Sequence, residues 1–404
     1  MAGMGFEDLA ELLEPCLAKE FLASSWGKSY RHVHGKAGKF TDLLPWSDLN
    51  EILMAHRLDY PRLRLMKDGK SLPTSSYIQH TRGGKGKAPI PRIKQAEFDN
   101  QLRNGATLVL DAVDELYTPI RRLASGLERV FHERVQVNCY AGWRISRGFD
   151  LHWDDHDVFI VQVAGRKRWS IYGMTTPYPL KGSNEPIPAP TNEPIWNEVL
   201  QDGDLLYIPR GWWHVAEPMD EPTLHLTVGI HNRTGVDLIR WFGERLAANE
   251  ALRKDLPRFE SNEARIDHME SLRRHLNEEW KPEILDTYFS ELDAKAEPRS
   301  SFNLPLAPMP DVARWPGDTV FRLNTPRPLN LELKDGDVEF ACNNKRWRFA
   351  SDSLFVLRPL TEKRECSLLE LCNVASEKLD EKTVRTFLEE LLLHGLIVIV
   401  KRQV

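Results

Sequence analysis

A chain of 404 residues with 41% apolar and 28% charged residues is long enough for roughly two or three domains and excludes a disordered protein. The net charge of −5 excludes wholesale electrostatic binding of nucleic acid, although residues 82–87 (RGGKGK) form a local basic patch. Five scattered cysteines without a CxxC pair, no signal-peptide pattern and no long apolar run predict a cytoplasmic protein without a membrane span.

The first part of the chain predicts a helix followed by many short strands. Apolar residues recur at helical spacing over Glu115–Phe131. Strand-like runs follow at 135–140, 156–165, 167–173, 205–209 and 223–230. Because no helical pattern separates these runs, we expect antiparallel pairing in a sandwich or a barrel, of which a double-stranded barrel fits best.

The sequence pattern changes near residue 236, and charged amphipathic helices are predicted from there to about residue 295. Their bulky apolar ridges fit equally well a dimer seam or packing within the chain. Four prolines between Glu297 and Val312 indicate a linker or an extended crossing. We therefore expect an α+β protein with three parts: residues 1–235, 236–300 and 301–404.

The last part is predicted to be a small winged-helix-like domain. Two strands flank an Asp335-Gly336 turn, and a helix covers 367–375. A second helix is capped by Asp380 and stops near Gly395, before a final strand (LIVIV).

Residues 149–159 (FDLHWDDHDVF) carry two histidines and three aspartates within an otherwise apolar run. Side chains at i and i+2 of a strand share a face, so His152 and Asp154 can reach one ion. His214, in the run G-D-x-x-x-x-P-x-G-x-x-H, is the expected third ligand. Two imidazoles and one carboxylate on one face of an octahedron leave open positions, as in non-haem Fe(II) oxygenases.

A lone H-x-D pair is more often a surface pair or a hydrogen-bonded pair than a metal site. The second motif favours a metal here. A structural zinc site would instead require four protein ligands, usually including thiolates. His156, His225 and His231 have no companion ligands at suitable spacing, so we expect them to pack or to support the site.

These motifs resemble one protein family. Residues 138–173 (NCYAGWRISRGFDLHWDDHDVFIVQVAGRKRWSIYG), 203–218 (GDLLYIPRGWWHVAEP) and 225–230 (HLTVGI) look like those of the JmjC-type, cupin-like ribosomal oxygenases. The resemblance seen over the whole chain implies a JmjC double-stranded β-helix, a helical dimerisation region and a C-terminal winged-helix domain. It also implies Fe(II), 2-oxoglutarate and O2 as the metal, co-substrate and oxidant.

Residue by residue, the resemblance makes His152, Asp154 and His214 the iron ligands and Lys167 the cation for the distal carboxylate of 2-oxoglutarate. An apolar barrel interior needs a positive charge to hold a dicarboxylate, although a solvated lysine in a basic cluster is the alternative for Lys167. Thr227 is a weaker cofactor contact, because a strand threonine usually only packs.

Asn138 and Tyr140 share a face of the strand before the H-x-D motif, and their spacing resembles the Asn-x-Tyr pair of the histidine-hydroxylating branch. There the pair lines the substrate and cofactor pocket. A buried amide and phenol that satisfy local backbone groups are an equally good interpretation.

The resemblance implies hydroxylation of a side-chain carbon, of histidine or arginine, in a protein that is expected to be ribosomal. Alternatives are a peptide natural-product precursor bound by the C-terminal domain, lysine demethylation, and a non-enzymatic scaffold for ribosome or nucleic acid. A homodimer is expected, without membrane binding and without nucleic acid as the main ligand. Residues 76–92 and 182–194 are candidates for the substrate groove.

Overall fold

The structure is a computed structural model that describes residues 9–82, 89–180, 187–304, 306, 308, 312–363 and 365–400. The basic patch and both groove candidates therefore fall partly outside the described residues. The chain divides into two compact units, Met1–Asn232 and Arg233–Val404. The division into three parts at residues 235 and 300 stays a prediction. Within the described ranges, no helix is both long enough and apolar enough to cross a membrane.

The first unit contains short helices and mostly short strands. Its helices are α1 Leu9–Leu13, α2 Ala18–Ser24, α3 Trp46–Ala55, α4 Gln95–Arg103 and α5 Thr118–Phe131. Its strands are β1 Arg31–Val33, β2 Leu63–Lys67, β3 Lys70–Ser71, β4 Ile78–Arg82, β5 Pro89–Ile93, β6 Thr107–Leu110, β7 Val135–Gly142, β8 Asp157–Ala164, β9 Lys167–Gly173, β10 Trp196–Leu200, β11 Leu205–Ile208, β12 Trp213–Pro218 and β13 Thr223–Ile230.

Two antiparallel sheets face each other in this unit. The larger has the order β1-β11-β8-β13-β7-β6-β2-β3, and the smaller has the order β10-β9-β12. Aliphatic and aromatic side chains of both sheets form one buried cluster: Val158, Ile160, Trp169, Ile171, Leu200, Leu206 and Ile208. The predicted antiparallel double-stranded barrel is thus confirmed, within a chain of mixed α and β content.

The opposite face of the larger sheet packs on a second, bigger core that includes α5. Ile120, Leu123 and Leu127 are buried there, as the helical spacing predicts. The helix begins at Thr118 rather than at Glu115, and Pro119 occupies its first turn. Proline lacks the N–H that a helix interior needs but fits the first turn, where that donor has no partner in any case.

The turn between β8 and β9 sets how the two sheets meet. Gly165 has φ +64°, and a Cβ there would lie 2.1 Å from the carbonyl oxygen of Pro222. Only glycine tolerates both this backbone conformation and this close approach. The turn positions Lys167 as the first residue of β9.

The second unit is helical at first and then mixed. Its helices are α6 Gly235–Leu246, α7 Glu250–Arg253, α8 Asn262–Glu279, α9 Ile284–Lys295, α10 Leu354–Glu362, α11 Leu368–Ala375 and α12 Glu381–Leu393. Its strands are β14 Val320–Leu323, β15 Glu332–Lys334, β16 Asp337–Cys342, β17 Lys345–Ala350, β18 Cys366–Ser367 and β19 Ile397–Val400. They form the sheets β18-β14-β19 and β15-β16-β17.

Several local predictions in this unit are confirmed. Asp335 and Gly336 join β15 to β16 with φ +51° and +84°, the left-handed values that a two-residue hairpin turn requires. Asp380 accepts a hydrogen bond from the Thr383 amide at the start of α12, and Gly395 has φ +72° beyond its end. The assignment of a winged-helix domain stays a prediction.

Candidate metal centre

The H-x-D motif lies in the irregular segment between β7 and β8, so the expectation that it forms part of a strand is wrong. His152 makes an isolated two-way backbone bridge with His214, at 3.1 and 2.8 Å. The Asp154 carbonyl accepts a hydrogen bond from the Gly211 amide at 2.9 Å. These bonds hold the segment against the start of β12 and against the turn before it, and regular pairing resumes only at Asp157.

The bridge brings the three expected ligands together. One ligand atom from each of His152, Asp154 and His214 lies within 4.8 Å of the other two. His214 Nε2 is 3.5 Å from the Asp154 carboxylate. His214 is buried at the start of β12, whereas His152 and Asp154 are half-buried, so the arrangement has a closed side and an accessible side.

Both imidazoles are held in one orientation by backbone carbonyls. His152 Nδ1 lies 2.7 Å from the Asp150 oxygen, and His214 Nδ1 lies 2.9 Å from the Trp212 oxygen. A carbonyl oxygen only accepts, so each Nδ1 carries a proton, and each Nε2 is the nitrogen left to bind a metal. This pattern is typical of histidines that bind metals through Nε2.

Electrostatics favour the same protonation state. Burial and the neighbouring His152 lower the pKa of His214 to about 4, against the opposing effect of the Asp154 carboxylate. The His214 imidazole is therefore neutral at physiological pH, which is the form that donates to a metal ion.

Lys167 lies deeper in the barrel, on the same face of β9 as Trp169 and Ile171. Its residue is 7% exposed, and its ammonium nitrogen lies 5.8 Å from the centre of the Trp169 ring. Among the described residues this ammonium group has no hydrogen bond and no ion pair. Burial alone lowers the pKa of Lys167 to about 7. The alternative of a solvated lysine is therefore wrong, because the side chain is inside the barrel.

Asn138 and Tyr140 face the interior from β7. The Asn138 side-chain oxygen accepts hydrogen bonds from the Ala112 amide at 2.9 Å and from Gln136 at 3.0 Å, while its amide contacts the Tyr140 hydroxyl. Burial, together with the carboxylates of Asp111 and Asp154, raises the pKa of Tyr140, so its hydroxyl stays a donor. Asn138 thus has the local structural role that the sequence left open, and it also orients Tyr140.

Thr227 on β13 is half-buried and lies in register between Asn138 on β7 and Ile160 on β8. Its hydroxyl therefore stands on the same interior face as the Asn138 side chain. The structure places it on the barrel wall, in the strand between β7 and β8.

His225 is a polar group of this interior for which the sequence predicts only packing or a supporting role. Its ring stacks on Tyr140 with centroids 5.0 Å apart and meets Trp169 edge-on at 5.6 Å. His225 Nδ1 and Trp169 Nε1 are buried without a hydrogen-bond partner among the described residues. Burial and the charge of Lys167 hold the pKa of His225 well below its ordinary value. No local signal in the sequence identifies it, because its neighbours Tyr140 and Lys167 come from β7 and β9.

His156 and His231 form a separate group beside the triad. Their rings lie 4.4 Å apart, and His156 Nδ1 lies 3.0 Å from the Asp155 carboxylate. Gly229 gives this ring room, since a Cβ there would approach it to 2.8 Å. Neither ring belongs to the group formed by His152, Asp154 and His214.

An antiparallel double-stranded barrel whose interior combines two histidines, an aspartate and a buried lysine defines a cupin-type fold with a JmjC-like site. Residues 110–238 match the family model of the JmjC domain. The resemblance to JmjC-type ribosomal oxygenases that the motifs indicate is confirmed by the comparisons with known proteins.

Among curated proteins, the bifunctional lysine-specific demethylase and histidyl-hydroxylase NO66 of Drosophila pseudoobscura pseudoobscura is 30% identical over 244 residues, which cover 57% of this chain and 24% of that protein. Ribosomal oxygenase 1 of Gallus gallus is 29% identical over 233 residues, which cover 55% of this chain and 36% of that protein. The chain therefore spans less than half the length of these relatives.

Among solved structures, the ribosomal oxygenase YcfD of Escherichia coli, in complex with cobalt and 2-oxoglutarate, superposes with a TM-score of 0.56 at 19% identity. The match covers 95% of this chain and 98% of YcfD. At this identity the likeness establishes the fold, which is shared over almost the whole chain.

Proposed function

We propose that this protein is an Fe(II)- and 2-oxoglutarate-dependent oxygenase that hydroxylates a side-chain carbon of a protein. The observation that carries the proposal is the pairing, inside one barrel, of an incomplete metal-ligand set with a buried ammonium group that has no counter-charge in the described part of the chain. A ligand that both chelates a metal and ends in a carboxylate fits the two features together, and 2-oxoglutarate is such a ligand.

The residues fit the metal in their chemistry. Two imidazoles and one carboxylate, with Nδ1 of both His152 and His214 bound to backbone carbonyls and Nε2 left for coordination, match the two-histidine, one-carboxylate facial set of non-haem Fe(II). Bound iron would supply the activation of O2, with oxidative decarboxylation of 2-oxoglutarate to succinate and CO2. One oxygen atom of O2 enters succinate, and the other enters the C–H bond of the substrate as a hydroxyl group.

The residues also fit the co-substrate. A buried charge without a partner is costly, and an incoming carboxylate removes that cost by pairing with the Lys167 ammonium group. The buried, unpartnered Nδ1 of His225 and Nε1 of Trp169 mark polar groups in the same interior that a bound ligand can satisfy. Thr227 contributes a hydroxyl on the neighbouring wall.

Tyr140 is proposed to position the reactants rather than to transfer a proton. Its raised pKa keeps the phenol protonated, and the Asp154 carboxylate is near enough to contribute to that shift. A neutral hydroxyl held by Asn138 is suited to donate a hydrogen bond to a ligand oxygen beside the metal.

The substrate class rests on the relatives. Two of them are named ribosomal oxygenases, and one is named a histidyl-hydroxylase. We infer that the target is a histidine or arginine side chain of a ribosomal protein. Because the same relative is also named as a lysine-specific demethylase, demethylation through hydroxylation of an N-methyl carbon is the second candidate.

A homodimer is proposed for the assembly. Among the helices α6, α8 and α9, large apolar side chains are exposed, including Ile239, Ile266, Met269 and Phe289. Exposed apolar residues grouped on successive helices are typical of a protein–protein interface. Analytical ultracentrifugation of the wild type and of an Ile266→Glu, Met269→Glu double variant measures this directly, and a monomeric wild type would reject it.

The test of the activity combines two measurements. Protein reconstituted anaerobically with Fe(II) and 2-oxoglutarate is expected to form succinate after an oxygen pulse. The Asp154→Ala variant should lose this turnover, while His394→Ala, an exposed histidine of the second unit, should retain it. A wild-type protein that binds iron poorly and forms no succinate would refute the oxygenase proposal.

The substrate is identified by intact-mass comparison of ribosomal proteins from wild-type cells and from cells lacking this gene. One ribosomal protein should lose the mass of one oxygen atom in the deletion strain. If none does, the ribosomal target is wrong, and formaldehyde release from methylated peptides then tests demethylation.

A further inference from the structure

A second group of potential metal ligands lies at the open edge of the barrel. Strand β1 ends the larger sheet and strand β10 ends the smaller one. His32 belongs to β1, His34 follows it, and Glu198 belongs to β10. The three side chains therefore meet where the free edges of the two sheets face each other.

Their ligand atoms are close enough to share one ion. His32 Nδ1 is 3.6 Å from the Glu198 carboxylate, and the rings of His32 and His34 lie 4.0 Å apart. One ligand atom from each residue lies within 4.8 Å of the other two. Two ligands of a tetrahedral zinc ion, each about 2.1 Å from the metal, stand about 3.4 Å apart, which is close to the separation of His32 and Glu198.

A buried carboxylate orients the first histidine. His32 Nε2 lies 3.1 Å from Asp204, a residue that is 2% exposed. The backbone amides of Gly35 and Gln201 also donate to this carboxylate, at 3.0 and 2.9 Å. These contacts from two backbone amides and one imidazole fix the Asp204 carboxylate against His32 Nε2.

The other ring nitrogen of His32, Nδ1, faces the Glu198 carboxylate at 3.6 Å. A carboxylate that accepts from one ring nitrogen while the other nitrogen faces a ligand group is the carboxylate–histidine–metal arrangement of many zinc sites.

The backbone that follows His34 packs closely against the turn that carries Asp204. A Cβ on Gly35 would lie 1.9 Å from the Gly203 carbonyl oxygen, and a Cβ on Gly203 would lie 2.0 Å from the Lys36 carbonyl oxygen. Gly203 has φ +90°, a conformation suited to glycine. The two glycines therefore allow the segment after β1 to lie directly against the turn that carries Asp204.

We propose that His32, His34 and Glu198 bind a divalent transition-metal ion, zinc in the first place, that links the edge strands of the two sheets. The site is separate from the metal centre of the oxygenase proposal and does not depend on it. Imidazole ligands favour zinc and its neighbours over magnesium or calcium, which prefer oxygen ligands. Water completes the coordination, because His34 is 77% exposed.

Zinc binding is tested on the full-length protein with the first centre disabled. In a His152→Ala, Asp154→Ala background, atomic emission after dialysis against zinc and buffer should find about one zinc ion per chain. Adding His34→Ala or Glu198→Gln should abolish this zinc, and both residues are on the surface, so the fold should tolerate the change. Glu193→Gln, an exposed glutamate just before β10, is the matched control and should retain the ion.

A second measurement follows stability. Zinc should raise the Tm of the background protein and of the Glu193→Gln control, and it should leave the Tm of the His34→Ala and Glu198→Gln variants unchanged. Absence of zinc from the background protein would overturn the proposal. Zinc that both variants retain but that His231→Ala loses would also overturn the proposal, because this result would place the ion at His156 and His231.

Discussion

Lys167 gives the sharpest prediction, because burial lowers its pKa to about 7 in the ligand-free protein. Only the ammonium form pairs with the distal carboxylate of 2-oxoglutarate. As the pH rises through 7, the free protein loses that proton, and binding must take one up again. With a pKa near 7, the ammonium fraction falls about tenfold between pH 6 and pH 8, so the Kd for 2-oxoglutarate should rise about tenfold over the same interval.

The assay is isothermal titration calorimetry of 2-oxoglutarate into protein loaded with Mn²⁺, at pH 6, 7 and 8. Lys167→Met should bind weakly at every pH. Lys167→Arg keeps a charge that does not titrate in this range, so any affinity that it retains should be independent of pH. His214 does not interfere, since its pKa of about 4 lies below the measured range.

Arg168→Met is the matched control, because Arg168 lies next along β9 on the opposite face and hydrogen-bonds Asn197 at the surface. It should leave both the affinity and its pH dependence unchanged. A wild-type Kd that stays constant from pH 6 to pH 8, or a Lys167→Met variant that binds as tightly as the wild type, would refute the assigned role of Lys167.

Three further outcomes are expected. His152→Ala should weaken Fe(II) binding by more than about 100-fold, as measured by metal competition, and unchanged binding would exclude His152 as a ligand. Tyr140→Phe should raise the KM for 2-oxoglutarate or protein substrate by about 3- to 10-fold, the value of one hydrogen bond, and two unchanged KM values would limit Tyr140 to packing. Gly165→Ala should reduce the free energy of unfolding by about 2–4 kcal/mol, since it adds a left-handed strain to a backbone clash. Gly243→Ala in α6, where nothing lies within 4 Å of the new Cβ, should instead add up to about 1 kcal/mol. Equal Tm values for the two variants in thermal unfolding would contradict this reasoning.

The barrel could be predicted from the sequence because period-two apolar patterns and the absence of helices between them depend on local residues. The three members of the candidate metal centre could be chosen on chemical grounds, yet the reason given for two of them was wrong. His152 and Asp154 do not share a strand face, and the segment is held by backbone bonds to His214 and Gly211. Strand parity cannot describe a segment that is held by isolated backbone bonds rather than by continuous strand pairing.

Other features depend on distant parts of the chain and carried no local signal. His32 and Glu198 are separated by most of the first unit and meet only because β1 and β10 are the edge strands of facing sheets. The sequence of β1 alone predicts nothing about β10. The sequence around His225 offers no companion ligands, because its partners, Tyr140 and Lys167, come from β7 and β9.

The two ends of the barrel interior differ in charge, and this difference explains how one cavity would select a dicarboxylate. Along β9, Ile171 pairs with His214 at the metal end, and Lys167 pairs with Pro218 at the far end. The two pairs lie four residues apart along β9, which corresponds to about 13 Å. The His214 and Lys167 side chains both reach inward, so the distance between their ends is shorter than this. A ligand with one chelating end and one carboxylate end can span the remaining gap and neutralise Lys167. A monocarboxylate would chelate the metal but leave the ammonium group buried and unpaired. The free-energy cost of that unpaired charge disfavours the monocarboxylate, and this is how Lys167 contributes to selectivity.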